Sequence, residues 1–149
     1  MVSRIREVDL AKVAITDVEL KDERVLVRVD FNVPLDSGGV ADDTRLRAAL
    51  PTIEYIVEQD GLPVLMSHLG RPGGERDPRL SLKPVAERLE ALVGREVILT
   101  KDCVGPEVEA AVKGARKGAV VLLENLRFHA EEESNDPEFA RQLALMGTV

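Results

Sequence analysis

Short apolar runs alternate along the chain with longer segments in which apolar residues recur at helical spacing. Val25-Leu26-Val27-Arg28-Val29-Asp30 is rich in β-branched residues and predicts a strand. Thr44 to Asp60 places Leu46, Leu50, Ile53 and Val57 at the spacing of one helix face. Asp42 or Asp43 is positioned to cap its start, and Gly61 stands where a left-handed terminal residue is wanted. Pro51 lies inside this pattern and predicts a kink or a late helix start. Leu62 to Ser67 predicts a second strand, and Ser81 precedes a helix carrying Leu82, Val85, Leu89 and Leu92 on one face, closed by Gly94. Val97 to Thr100 is a third strand, Gly105-Pro106 opens a short helix, and Ala119 to Glu124 is a fourth strand. Asp136-Pro137 starts a last helix that runs to about Met146. This β-α-β-α-β-α-β-α order predicts an α/β fold, a parallel sheet covered by helices on both faces in three layers. Gly70 to Pro78 is the one obvious long loop. At the end of the chain, Gly147 reads as a helix C-cap and Thr148-Val149 as the first residues of a fifth strand, so the pattern is expected to continue.

Composition narrows the functional classes. The 149 residues carry a net charge of −7, which argues against nucleic acid or an anionic membrane as the main partner. No Trp, one Tyr and three Phe leave no base-stacking platform. A single cysteine, Cys103, excludes an internal disulfide, and a reducing cytoplasm is the expected compartment. Met1 to Leu10 has no apolar core and is not a signal peptide, and no apolar run approaches the ~18 residues of a membrane span.

In open parallel sheets ligands bind beyond the carboxyl ends of the strands. Three predicted strand ends are followed by Asp30-Phe31-Asn32-Val33-Pro34, by Ser67-His68-Leu69-Gly70-Arg71-Pro72 and by Asn125-Leu126-Arg127-Phe128-His129. The helix after the first strand adds Arg45 in its first turn, where the helix dipole disfavours a cation. Alone, Arg45 would read as a solvated side chain. With Arg71 and Arg127 it suggests a basic pocket for an anion, set against the chain's acidic field. His129, with only one other histidine in the chain, reads as a surface or packing residue, and no metal site is expected. Glu131 to Glu133 reads as a solvated acidic face, and Cys103 as a buried small apolar group. Asp30 and Asn32 could equally cap the turn after their strand. No G-x-G-x-x-G and no G-x-x-x-x-G-K-[ST] motif occurs.

Taken together, these motifs resemble the phosphoglycerate kinase family. The resemblance rests on Arg28-Val29-Asp30-Phe31-Asn32-Val33-Pro34 and on Asp43-Thr44-Arg45-Leu46-Arg47-Ala48-Ala49-Leu50-Pro51. It continues in Leu65-Met66-Ser67-His68-Leu69-Gly70-Arg71-Pro72, Lys101-Asp102-Cys103-Val104-Gly105 and Leu123-Glu124-Asn125-Leu126-Arg127-Phe128, in family order from about Lys12 onward. It implies a cytoplasmic, glycolytic, monomeric kinase of two α/β domains joined by a hinge. The N-terminal domain binds 3-phosphoglycerate or 1,3-bisphosphoglycerate, and the C-terminal domain binds ATP or ADP with Mg2+. Residues 1–149 would be part of the first domain, with the nucleotide-binding domain absent. The implied substrate-binding residues are Asp30, Phe31, Asn32, Arg45, His68, Leu69, Gly70, Arg71 and Arg127. Asp30 and Asn32 would hold the glycerate end, and His68, Arg71 and Arg127 the stable phosphate. Arg45 would be catalytic, facing the carboxyl group and the phosphoryl group in flight. The family's next segment, Y-V-N-D-A-F-G-x-A-H-R, would begin about where this chain ends. Without the fifth and sixth strands of the family sheet, the first strand is expected to be an exposed edge and the fold marginal. The chain alone is then expected to be inactive, the alternative being a non-catalytic fragment that binds 3-phosphoglycerate or another anion.

Overall fold

The computed structural model describes residues 12–149; the predicted leaderless start at Met1 to Leu10 lies outside them. Four parallel strands form the main sheet: β1 (Arg24–Arg28), β4 (Leu62–Met66), β5 (Val97–Leu99) and β6 (Val120–Leu122), in the order β1-β4-β6-β5. Five helices accompany them: α1 (Thr44–Glu58), α2 (Lys83–Val93), α3 (Pro106–Lys113), the single turn α4 (Ala130–Glu133) and α5 (Pro137–Ala144). Alternate strand residues take opposite faces. Leu65, Val120 and Leu122 pack with Leu46 and Ile53 of α1 and Val85 and Leu89 of α2. Val64, Val121 and Leu123 face the other way, onto Val108 and Val112 of α3 and onto Leu143 and Met146 at the end of α5. The two central strands, β4 and β6, are therefore buried on both sides, as expected within a parallel sheet, while the outer strands β1 and β5 are only partly buried.

Several local expectations are corrected. The Ser37-Gly38 turn joins a small antiparallel hairpin, β2 (Leu35–Asp36) and β3 (Gly39–Val40), that the periodicity does not reveal. Both turn residues have positive φ, 51° and 80°, the geometry of the tight turns that match strand twist. Helix α1 starts at Thr44 and runs through Pro51 without a break. The hydrogen bond that Pro51 cannot donate falls on the exposed side of the helix, where both Arg47 and Pro51 face solvent. Asp42 caps α1 through the Thr44 amide and hydroxyl, while Asp43 turns to Arg47 and Arg88.

Two of the three glycines expected as left-handed helix ends act differently. Gly94 does close α2 with φ 64°. After α1, however, the left-handed position is taken by Asp60, with φ 62°. A Cβ on Gly61 would lie 2.9 Å from the Leu20 carbonyl oxygen, and one on Gly147 would lie 2.7 Å from the Leu26 Cβ. These two glycines let backbones approach closely, a requirement that only the packed structure imposes.

The approach at Gly147 places the last residues beside β1. Thr148 donates its amide to the Arg24 carbonyl at 2.7 Å, and the Leu26 amide donates to the Val149 carbonyl at 2.8 Å. Thr148-Val149 thus hydrogen-bonds along β1 without forming the fifth strand expected, and the outer edge of β1 is covered at Arg24 and Leu26 rather than left bare.

Candidate functional site

Three loops leave the carboxyl ends of β1, β4 and β6 and are laced together by buried polar side chains. Ser67 accepts the Phe31 amide at 2.9 Å, tying the first loop to the second. Asn32 accepts the Gly70 amide at 2.9 Å. Asn125 is fully buried. Its oxygen accepts the amides of Leu69 and Arg127 at 3.2 and 3.0 Å, and its nitrogen donates to the carbonyls of Leu69 and Leu80 at 2.7 and 2.9 Å. All of its hydrogen-bonding capacity goes into holding backbone. Glu124, also buried, accepts from the Leu82 amide, the Asn125 amide and the Ser81 hydroxyl at 2.7–2.8 Å, fixing the start of α2 beneath the same loops.

The charged side chains sit on this framework in two groups. At the β1 corner, Arg45 Nη1 donates to Asp30 Oδ1 at 3.1 Å and to the Asn32 carbonyl at 2.5 Å. The Asp30 carboxylate and a backbone dipole therefore offset the unfavourable place of Arg45 in the first turn of α1. At the other end, Arg127 Nε donates to Glu132 Oε2 at 3.0 Å, with Glu133 Oε1 3.6 Å from its Nη1. Arg28 Nη2 donates to the second Glu132 oxygen, Oε1, at 2.8 Å.

The acidic run is thus not a wholly solvated face. Glu131 and Glu133 are exposed, but the Glu132 side chain is only 10% exposed and bridges two arginines. Burial alone would raise the Glu132 pKa; the hydrogen bonds from Arg28 and Arg127 win and hold it below the ordinary carboxylate value.

His68 stands half-buried among these charges. Burial and the Arg127 guanidinium push its pKa below 6.5, against the opposing pull of Glu132 and Asp30. Its ring is therefore mainly neutral at pH 7, able to donate one hydrogen bond and to become cationic when an anion arrives.

Of the candidate residues, Asp30, Asn32, Arg45, His68, Gly70 and Arg127 lie on the three laced loops or the adjoining first turn of α1. Arg71 is exposed on the loop after β4, and among the described residues no hydrogen bond or ion pair ties it to the other arginines. Phe31 and Leu69 are buried in the core, so they serve the site through their backbones. Arg28 and Glu132 were not among the candidates. The i,i+5 spacing of Arg127 and Glu132 was a weak local signal, but nothing in the sequence joins Glu132 to a residue 104 positions away.

Asp102, Cys103 and His129 offer an oxygen, a sulfur and a nitrogen within 4.8 Å of one another, the one mixed ligand set among the described residues. Each donor is already engaged. His129 Nε2 lies 2.6 Å from Asp102 Oδ1, with its ring on Phe139, and the Cys103 thiol donates to the Glu124 carbonyl at 2.8 Å. Burial pushes the Cys103 thiol well above its ordinary pKa, as suits the packing role expected from the sequence.

The phosphoglycerate kinase family model matches residues 15–149. The chain is 60% identical over 140 residues to the phosphoglycerate kinase of Moorella thermoacetica, covering 94% of this chain and 36% of that protein. It is 55% identical over 141 residues to that of Aquifex aeolicus, covering 94% and 35%. Among solved structures, phosphoglycerate kinase from Coxiella burnetii superposes with a TM-score of 0.75 at 33% identity, over 91% of this chain and 33% of that one. The enzyme from Pyrococcus horikoshii gives 0.75 at 30% identity, over 89% and 34%. The chain spans about a third of the length of these relatives, and across that span it belongs to the phosphoglycerate kinase family.

Proposed function

We propose that this chain is the substrate-binding part of a phosphoglycerate kinase, corresponding to the N-terminal domain of the family. The reaction is the reversible transfer of a phosphoryl group between ATP and the carboxylate of 3-phosphoglycerate, giving ADP and 1,3-bisphosphoglycerate. The observation that carries this reading is the gathering of Arg28, Arg45, His68 and Arg127 at one end of a parallel sheet, on a chain whose net charge is −7.

The chemistry suits what is present. The acceptor oxygen belongs to a carboxylate, ionised at neutral pH, so no general base is required. Phosphoryl transfer needs in-line placement and neutralisation of charge on the transferring group. In this reading His68, Arg71 and Arg127 hold the stable phosphate. The Asn32 side-chain nitrogen Nδ2, which donates to no protein acceptor among the described residues while Oδ1 holds the Gly70 amide, donates to the glycerate end beside Asp30. Arg45, held by Asp30 until substrate arrives, neutralises charge at the reacting carboxyl. A well-placed arginine is worth ~10³-fold or more in rate in such sites.

ATP would donate the phosphoryl group and ADP would accept it in the reverse direction, with Mg2+ bound to the nucleotide supplying part of the charge neutralisation. Among the described residues, the one mixed ligand set does not fit that metal: it contains a thiol, whereas Mg2+ takes oxygen ligands in octahedral geometry. By resemblance to the family, the nucleotide is assigned to a domain outside this chain, and so is the hinge between domains. The compartment proposed is the cytoplasm, and among the described residues no helix is long and apolar enough to cross a membrane.

Amide NMR of the chain with added 3-phosphoglycerate tests the reading. Shifts clustered after Asp30, His68 and Arg127, with none from ATP, are expected, together with no kinase turnover by the chain alone. Shifts from ATP but not 3-phosphoglycerate would overturn the substrate assignment. Turnover that co-purifies with the chain and vanishes in Arg45→Ala would overturn the assignment of the nucleotide to another domain.

A further inference from the structure

Glu132 has no place in the scheme above, yet it is the most enclosed acidic side chain paired with the cationic groups at these strand ends. Its two carboxylate oxygens are divided between two cations: Oε1 takes Arg28 Nη2 at 2.8 Å and Oε2 takes Arg127 Nε at 3.0 Å. Arg28 comes from the end of β1 and Arg127 from the loop after β6, two strands separated in the sheet by β4. His68 lies on the loop after β4, the strand between those two. One carboxylate therefore links guanidiniums from the two strands that flank the strand carrying the histidine loop.

Each guanidinium has five N–H donors in a rigid fork. Among the described residues, Arg28 Nε and Nη1 and Arg127 Nη2 donate to no protein acceptor. Donors thus remain for a phosphate after Glu132 has oriented both forks. Without the carboxylate, two long cationic side chains would repel one another and spread into solvent, and a ligand would have to order them on binding.

We propose that Glu132 is a positioning residue that pre-assembles Arg28 and Arg127 for a phosphate group. This inference rests on the 3-phosphoglycerate reading above. It makes a prediction of unusual sign. A carboxylate beside an anion site opposes the anion by charge alone, so neutralising it should strengthen binding if charge were all that mattered. A positioning role predicts the reverse.

The test compares the wild-type chain with Glu132→Gln and Glu132→Asp. The first keeps the shape and removes the charge. The second keeps the charge but is one methylene too short to reach both arginines. The guanidinium NMR signals that meet Glu132, Nη2–H of Arg28 and Nε–H of Arg127, report their order without any ligand, and titration with 3-phosphoglycerate, then inorganic phosphate, reports binding. Both signals are expected to be resolved and slowly exchanging in the wild type and to collapse toward free arginine in both variants. Binding is expected to weaken about tenfold in both, the equivalent of one charge-assisted hydrogen bond. Should Glu132→Gln not fold, Glu132→Asp is read in the same two ways. Unchanged or tighter binding in Glu132→Gln would overturn the proposal and make Glu132 a competitor for the arginines. Disordered arginine signals in the wild type would overturn it as well. If the wild type binds inorganic phosphate but not 3-phosphoglycerate, the substrate reading fails and the positioning test stands on phosphate. If it binds neither, both fall.

Discussion

The two cationic corners of the site are built on different principles. At the β1 corner, the Arg45 and Asp30 side chains are 52% and 64% exposed, and their ion pair lies in water. At the β6 corner, the Arg127 and Glu132 side chains are 22% and 10% exposed, and the pair rests on Asn125, which is fully buried. An exposed pair contributes little to stability because solvent screens it and both side chains lose freedom. An enclosed pair on a satisfied buried network is rigid, and removal of either member leaves a charge without its partner. Under the proposed function, the open corner would exchange Asp30 for a substrate carboxyl at low cost, and the closed corner would hold the stable phosphate in a fixed place.

The sharpest way to break this contrast is at Asn125. Asn125→Ala leaves the amides of Leu69 and Arg127 and the carbonyls of Leu69 and Leu80 without their partner. A loss of ~3–5 kcal/mol is expected, read as a lower urea midpoint. A loss under ~1 kcal/mol would show that the loops are not held from beneath. Next in size is Arg127→Ala, which strands the Glu132 carboxylate beside Arg28 alone. About 2–3 kcal/mol of stability is expected to go, by thermal or urea unfolding.

A smaller effect follows pH. The folded protein holds His68 below its ordinary 6.5 through burial and Arg127, so the unfolded chain binds the proton more readily. Stability is then full above pH 6.5 and declines as pH falls through the lower folded value. The His68 ring titration by NMR should show a midpoint below 6.5 that rises when 3-phosphoglycerate is bound. A midpoint above 6.5 without ligand would contradict the enclosed corner. Glu132 adds a second decline, below its ordinary 4.5, as its carboxylate is protonated and the bridge is lost. The smallest stability effect belongs to the open corner. Arg45→Ala should change unfolding free energy by less than ~0.5 kcal/mol while weakening 3-phosphoglycerate binding about tenfold. A large stability loss there would erase the difference between the corners.

Much of this could be read along the chain. The periods of Leu46, Ile53, Val85 and Leu89, and the β-branched runs at Val25 and Val120, identify elements because strand and helix impose different spacings on any buried face. Asp30, Asn32, His68 and Arg127 follow strands directly, so the rule for parallel sheets located them without coordinates. Residues whose role depends on a distant partner were not legible. Asn125 looked like part of a motif, and only the packed loops show that its amide is spent on backbone. Glu132 looked like one acid among three, because which of three successive side chains turns inward depends on the path of the chain after β6.

Local sequence, then, determined the order of strands and helices, the three-layer class and the end of the sheet where polar residues collect. Those properties arise from interactions between residues a few positions apart, and they are written in composition and spacing. Tertiary structure alone decided that Gly61 and Gly147 serve close approach rather than left-handed turns. It also decided that Pro51 lies within an unbroken helix, and that Arg28 and Arg127 share one carboxylate. The glycine contacts and the shared carboxylate depend on atoms brought together from far along the chain, where the free energy of packing, and not any local preference, selects the arrangement.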